Sequence, residues 1–218
     1  MADPTLPVGG YAHSAGLETY VQQQVVNDPE SAREFVVSML TQNVKYTDAA
    51  FVSLAYESTE RFDLEKILLL DDECTAVKLP REIREASQKL GIRLLKIFLP
   101  LTGNLITGEY REAIHANKAT GHYSIAFGML ASVLKIAKAD ALAGYYYNAA
   151  VGMITNCVKL IPLGQLDGQQ ILFSLQSLIG QLVEDSLIPD ESMIGFCCAG
   201  FDIRSMQHEQ LYSRLYMS

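Results

Sequence analysis

The distribution of apolar and polar residues is most one-sided in the middle of the chain. Between positions 119 and 183 only five residues carry a formal charge: Lys135, Lys138, Asp140, Lys159 and Asp167. Apolar residues recur there at helical spacing, as in Ile125, Met129 and Val133, without the alternation typical of strands. Helices that are apolar nearly all round are buried on most sides. We therefore predict that this stretch forms the buried central hairpin of an all-α domain.

The flanking sequence predicts shorter amphipathic helices. Asp28-Pro29-Glu30 is a strong helix start, with an acidic N-cap and a proline at the first helical position. The pattern predicts that this helix ends near Asn43 and that another runs from Thr47 to Tyr56. Other predicted helices cover 14–24, 63–78, 81–98 (closed by Pro100), 109–118, 167–185 and 193–198, with a loop at 101–108. Residues 1–218 thus read as one single-domain orthogonal bundle of roughly 8–10 helices.

Composition and charge narrow the classes of partner. The chain is 49% hydrophobic and 19% charged, with a net charge of −8 and a pI near 5.0. An acidic surface opposes binding to nucleic acid, and no basic run suggests an anionic membrane surface. The most apolar window, 139–161, contains Asp140, Asn148 and Lys159, which argues against a membrane span.

The ends and the cysteines favour a cytoplasmic protein. The first residues, MADPTLPVGGYAHS, lack the basic and apolar regions of a secretory signal. The four cysteines form no CxxC pair, which is typical of reduced thiols in a cytoplasmic protein.

A search for catalytic motifs finds no P-loop, GxGxxG, GxSxG or HExxH. We interpret Ser14 as the cap of the first helix and Glu18 as a first-turn acid. The acidic run that begins at Asp71 is interpreted as a solvated helix end. A helical enzyme or ligand-binding protein with a pocket near His13, Glu18 and His122 stays open as an alternative.

Three stretches of the chain resemble the UreF family of urease accessory proteins. They are LPVGGYAHS from Leu6 with a following GLE, then GH with FG and IPLGQ with DGQ, and finally DIRSMQHE with YSRLY. The motif residues we single out are Pro7, Gly9, Gly10, His13, Ser14, Gly16, Glu18, Gly121, His122, Pro162, Gly164, Gln165 and Asp167. Their order and spread over nearly the whole chain make the resemblance specific.

This resemblance implies an all-helical homodimer with no cofactor and no chemistry of its own. It implies an adaptor that joins the D/H-type scaffold protein and the G-type GTPase while nickel is inserted into apo-urease. A direct nickel carrier is a weaker alternative. Because the histidines and cysteines lack ligand spacing on any predicted helix, we expect no tight nickel binding by the isolated protein, unless a site is shared across the dimer axis.

The end of the chain, 202–218, is predicted to be an interaction tail that follows a helix ended by Gly200. Aromatic residues and arginine are enriched at interface hot spots. Packing of the tail on its own domain is the alternative, and the resemblance favours docking to a partner. The candidate partner-binding residues are Arg204, Met206, His208, Glu209, Tyr212, Ser213, Arg214, Leu215 and Tyr216.

Overall fold

The computed structural model describes residues 6, 14, 16–196, 198–212 and 214–215, and every regular element within them is helical. The predicted all-α fold is confirmed. The α-helices are α1 (Leu17–Gln22), α2 (Pro29–Ser38), α3 (Ala50–Glu60), α4 (Leu64–Val77), α5 (Arg81–Thr102), α6 (Leu105–His115), α7 (Tyr123–Val133), α8 (Lys138–Leu160), α9 (Gln165–Ser174), α10 (Gln176–Leu187) and α11 (Ala199–His208). A π-helix, Met39–Ala49, joins α2 to α3, and a 3₁₀ turn covers Glu191–Met193. None of these helices is long and apolar enough to cross a membrane.

The centre of the bundle is α7, in which every residue from Ser124 to Ser132 is buried. It packs chiefly against α3 and α5 and meets α8 only weakly, while α8 packs mainly against α10 and α9. A Cβ atom on Gly128 would lie 2.3 Å from the carbonyl oxygen of Val52 on α3. The two predicted helices are therefore present, but they do not form a central hairpin, because α7 approaches other helices more closely than its neighbour in sequence.

One continuous helical segment replaces the two helices predicted between 29 and 56. The predicted start is correct. The Asp28 carboxylate accepts from the Ser31 backbone N–H at 2.8 Å, and the Ser31 hydroxyl oxygen accepts from the Asp28 backbone N–H. The predicted end near Asn43 is wrong, since the chain passes through the π-helix into α3. The hydroxyl of Thr47 donates back to the Asn43 carbonyl at 3.0 Å instead of capping a new helix.

Pro100 lies inside α5 and does not end it, contrary to the prediction. The helix continues to Thr102 and ends at Gly103, which adopts a left-handed φ of 57°. The predicted loop at 101–108 is also wrong, because the Asn104 side chain accepts from the Ile106 N–H and starts α6. Pro100 lacks the N–H that would bond to the carbonyl one turn earlier, and only two more helical residues follow it.

Towards the end of the chain, three further boundaries differ from the predictions. The single helix predicted over 167–185 is two helices that meet at Leu175. The helix predicted over 193–198 is reduced to the 3₁₀ turn. Gly200 lies in the first turn of α11 and ends no helix.

Candidate interaction site

The first and last α-helices that the structure describes, α1 and α11, contact each other. Gly16 precedes α1 with a φ of 77°, and a Cβ atom there would lie 2.6 Å from the Ser205 hydroxyl on α11. The Thr19 hydroxyl donates to the Arg204 carbonyl at 3.0 Å. We call α1, α11 and the described residues up to 215 the terminal unit. Its construction explains why Gly16 is a glycine: a larger residue would be strained and would push α11 away.

Hydrogen bonds between ionisable side chains connect the terminal unit to the start of α5. His208 is 1% exposed, with Nε2 2.9 Å from a carboxylate oxygen of Glu18 and Nδ1 2.7 Å from one of Glu82. Arg214 donates to the other Glu82 oxygen at 2.6 Å, and the Leu215 backbone N–H donates to the other Glu18 oxygen at 2.8 Å. Glu18, Glu82, His208 and Arg214 are hereafter the His208 cluster. It holds the residues beyond α11 by hydrogen bonds and charge.

Three more contacts involve the terminal unit. The guanidinium of Arg204 lies 4.5 Å from the ring centroid of Tyr20, a cation–π contact, and its Nε donates to Gln23 at 3.2 Å. Partial burial raises the pKa of the Tyr20 hydroxyl, although the nearby guanidinium opposes that shift. Arg81 on α5 pairs with Glu209 at 2.9 Å. Arg204 and Glu209 are thus engaged within the chain.

The outer face of the terminal unit carries apolar side chains. Tyr212 is fully exposed, Leu215 is 69% exposed, and Ile203 and Met206 are roughly half exposed. Of the predicted partner-binding residues, the structure places Met206, Tyr212 and Leu215 outward. It places four others in contact with the chain itself: Arg204, His208, Glu209 and Arg214. Ser213 and Tyr216 lie outside the described residues.

The middle motif, Gly121-His122, is held by one buried carboxylate. Asp71 on α4 is 0% exposed, which corrects its interpretation as part of a solvated helix end; Asp72 next to it is exposed. Its oxygens accept from the Tyr110 hydroxyl at 2.6 Å, from the Thr120 hydroxyl at 2.8 Å, and from the backbone N–H groups of residues 120–122. This set of bonds, the Asp71 clamp, fixes the turn that starts α7.

His122 is buried between two hydroxyl groups. Nε2 lies 3.0 Å from the Thr75 Oγ1, and Nδ1 lies 3.0 Å from the Ser87 Oγ. Burial lowers the pKa of this imidazole to about 4, against the opposing effect of the nearby Asp71 carboxylate. His122 is therefore neutral at physiological pH and serves the interior packing of α4, α5 and α7.

The other motif residues have local structural roles where the structure describes them. The Gly164 N–H donates to the Asp167 carboxylate at 2.8 Å and starts α9, while Pro162 and Gln165 are exposed. Ser14 is buried, but the N-cap of α1 is Gly16, so the predicted serine cap is wrong. Pro7, Gly9, Gly10 and His13 lie outside the described residues.

The pocket proposed near Glu18 and His122 does not form from that pair. Glu18 binds His208, whereas His122 binds Thr75 and Ser87, so the two side chains serve separate networks. Sequence reasoning also missed Glu82, which lies on the helix predicted over 81–98. Its partner His208 lies 126 residues further along the chain, a separation that no local pattern reveals.

No metal centre is evident in the part of the chain that the structure describes. There, no group of three or more His, Cys, Asp or Glu side chains is placed to hold a metal ion. Burial raises the pKa of the Cys74 and Cys157 thiols to about 12, so both are protonated at neutral pH.

Fold and site together define an all-α protein in which α1 and α11 pack together beside the start of α5. The UreF family model matches residues 26–176. Over all 218 residues, the chain is 50% identical to the urease accessory protein UreF of Actinobacillus pleuropneumoniae serotype 5b (strain L20), covering 96% of that protein. It is 49% identical to UreF of Haemophilus influenzae (strain PittEE), covering 93%, and 34% identical to UreF of Bacillus sp. (strain TB-90), covering 96%. The chain therefore belongs to the UreF family of urease accessory proteins, and it is an accessory protein rather than an enzyme.

Proposed function

We propose that this chain is an adaptor between the D/H-type scaffold protein and the G-type GTPase during nickel insertion into apo-urease. The observation that carries the proposal is the outward face of the terminal unit, where Met206, Tyr212 and Leu215 are exposed and the Leu215 backbone N–H is bound by Glu18. Exposed aromatic and aliphatic side chains on a preorganised support are typical of binding hot spots. We assign this face to the scaffold protein.

In this proposal, some residues hold the terminal unit in position and others contact the partner. His208 is buried, so it acts by holding the tail in place and does not itself reach a partner. Arg204 stacks on Tyr20, so its replacement would disturb the terminal unit as well as any interface. Tyr212 is the cleanest probe, because it is fully exposed and takes no part in the His208 cluster.

The experiment is a pull-down of the scaffold protein by full-length Tyr212→Ala. We expect at least tenfold weaker binding, which corresponds to more than about 1.4 kcal/mol, at an unchanged melting temperature. Phe62→Ala is the matched control, since Phe62 is an exposed aromatic (68%) at the turn between α3 and α4. Normal scaffold binding by Tyr212→Ala would rule out this face as the docking site.

We also propose that the protein is a homodimer. Its surface exposes large apolar side chains outside the terminal unit, each at least 70% accessible: Leu101, Leu105, Leu166, Phe173 and Ile188. A second copy of the chain is the usual cover for such area. Light scattering at micromolar concentration should give twice the chain mass of 24.1 kDa, and a value equal to the chain mass would contradict the proposal.

The adaptor is proposed to work in the cytoplasm without binding nickel tightly itself. Free cysteines that include two high-pKa thiols suit a reducing compartment and make poor nickel ligands. Calorimetry of the isolated protein should detect no stoichiometric submicromolar nickel site. Detection of such a site would favour the alternative of a direct nickel carrier.

A further inference from the structure

We propose that a groove between the π-helix and the end of α10 docks a segment of a protein partner by taking up one of its arginine side chains. The π-helix contributes Lys45 and Tyr46 to this groove, and the chain from the last turn of α10 onward contributes Asp185, Ile188 and Met193. We call it the π-helix groove. The inference does not depend on the face assigned to the scaffold protein, because none of these residues belongs to the terminal unit.

The π-helix groove is large enough to hold a ligand side chain. Its volume is about 330 Å³, within the range of ligand pockets. Ala50 and Ser186, which line it, are each 2% exposed, whereas Ile188 is 87% exposed, so the groove runs from the interior to the open surface. The chain just beyond it is tied to the π-helix, because the Gly195 N–H donates to the Tyr46 carbonyl at 3.1 Å. Helical turns of the π type are frequent at functional sites.

The charge around the groove favours a cationic ligand. Between positions 160 and 203 the chain contains six acidic residues and no lysine, arginine or histidine. Four of the six fall within eight consecutive positions at the groove, and all four are exposed: Glu184, Asp185, Asp190 and Glu191. A concave surface with such a surplus of carboxylates repels anions and attracts a cation.

A lysine of the chain itself already binds at one side of the groove. The Lys45 ammonium lies 2.8 Å from Oδ2 of Asp185 and 5.3 Å from the centroid of the Tyr46 ring. Asp190 accepts from Ser192 through its Oδ1 alone. Within the part of the chain that the structure describes, the second oxygen of each carboxylate accepts no hydrogen bond. Two carboxylate oxygens are thus available to a further cation.

Arginine suits these acceptors better than lysine does. Its guanidinium offers five donors in one plane, can bind two carboxylates at once and stacks on aromatic rings, whereas an ammonium is a compact point charge. The aliphatic stem of an arginine can pack along Met193, which is half-buried in the groove. Apolar residues beside the arginine would cover Ile188. The occupant is therefore a partner segment in which an arginine is flanked by apolar residues.

The test is NMR of the full-length protein labelled in its methionine methyl groups, with Met193 as the reporter. The probes are acetyl-arginine amide and its neutral isostere, acetyl-citrulline amide. A good ligand of about 15 non-hydrogen atoms binds with a Kd of about 1 mM. The citrulline probe should bind at least about tenfold more weakly, because it lacks the charge. Equal affinities, or no shift of the Met193 methyl signal at about 20 mM of the arginine probe, would overturn the proposal.

A longer probe distinguishes a partner segment from a small cation. The peptide acetyl-Leu-Arg-Leu-amide should bind at least about threefold more tightly than acetyl-arginine amide, because its leucines cover Ile188. A peptide that binds no better would reduce the groove to a site for small cations and would overturn docking.

A second copy of the chain is the competing occupant of the groove. Ile188 belongs to its edge, and the four other exposed residues support the homodimer without it. Light scattering at saturating acetyl-Leu-Arg-Leu-amide should therefore leave the mass of the protein unchanged. A fall in mass would show that a second copy covers the groove, which would also overturn the proposal.

Two variants should change the affinity for acetyl-arginine amide in opposite directions. Asp185→Asn removes an acceptor charge and should weaken binding at least about fivefold, whereas Lys45→Met removes the competing ammonium and should strengthen it at least about threefold. Glu109→Gln is the matched control, because it removes an exposed carboxylate on α6 and should keep the wild-type affinity. Wild-type affinity in Asp185→Asn, or no gain in Lys45→Met, would overturn the proposal. None of these outcomes bears on scaffold binding by Tyr212→Ala.

Discussion

His122 in the centre of the bundle and His208 in the terminal unit are both buried, yet their surroundings are opposite. His122 lies between two hydroxyl groups that can donate or accept, and burial depresses its pKa to about 4. His208 lies between two carboxylates that can only accept when ionised. Two buried histidines of one chain can thus have partners of different chemical character, because tertiary contacts decide which groups face each ring.

The central region and the terminal unit also differ in how firmly each is held in the fold. The central region combines the Asp71 clamp with an α7 helix that is buried on nearly every side, so a change there should be felt by the entire fold. The terminal unit is held by a few polar contacts and exposes Tyr212 and Leu215. Changes there should alter local docking more than global stability.

The largest effect is expected when the Asp71 clamp is broken. Asp71→Asn replaces an acceptor of five hydrogen bonds with a group that turns two donors towards other donors. We expect a loss of about 3–5 kcal/mol in the free energy of unfolding, measured with urea. Asp72→Asn, the exposed neighbour, should change it by less than about 0.5 kcal/mol. Similar values for the two variants would remove the distinction between the regions.

Acid should destabilise the central region through His122. Its pKa in the folded protein is about 4, below the ordinary value, so only the unfolded chain takes up a proton between about pH 6.5 and pH 4. Stability should fall as pH falls through this window, by up to about 1.4 kcal/mol per pH unit. The comparison is urea unfolding of His122→Gln, which should lose this component, with that of the exposed His115→Gln, which should retain it.

Replacing a helical glycine with alanine should have opposite effects on stability at a buried and at an open helix surface. Gly128→Ala places a Cβ atom 2.3 Å from the Val52 carbonyl and should cost about 1–3 kcal/mol by forcing α7 and α3 apart. Gly152→Ala on α8 meets no atom within 4 Å and should stabilise the protein by about 0.5–1 kcal/mol. Thermal melting of both variants provides the measurement, and a loss in Gly152→Ala would show that α8 is covered in solution.

A mainly local effect is expected at Gly16. Gly16→Ala strains a left-handed position and crowds Ser205, which should undock α11 and lower global stability by only about 1 kcal/mol. Hydrogen exchange should show lost protection in α11 while α7 stays protected. Gly200→Ala is the control, since its Cβ atom meets only the Arg204 side chain at 3.5 Å. Global unfolding of Gly16→Ala would place the terminal unit in the same cooperative unit as the core.

Local patterns in the sequence determined the fold class and several helix starts. The charge-poor stretch after position 119 is helical as predicted, but only α7 is buried nearly throughout, and α9 exposes Leu166 and Phe173. The Asp28-Pro29 start lies where its capping chemistry predicts. These features depend on residues within one helical turn of each other, so a short stretch of sequence is enough to predict them. The break predicted at Asn43 is absent, because tertiary context overrides a weak local preference against helix, and α5 also continues past Pro100 for two residues.

Tertiary structure alone decided which residues meet. Asp71, in an acidic run that looked solvated, is buried because a turn 49 residues later brings three N–H groups to it. Glu82 and Glu18 reach His208 across 126 and 190 residues. From the sequence alone, a charged side chain is expected at the surface. Its burial depends on partners of opposite charge or on free hydrogen-bonding groups, and only the folded chain brings these within about 3 Å.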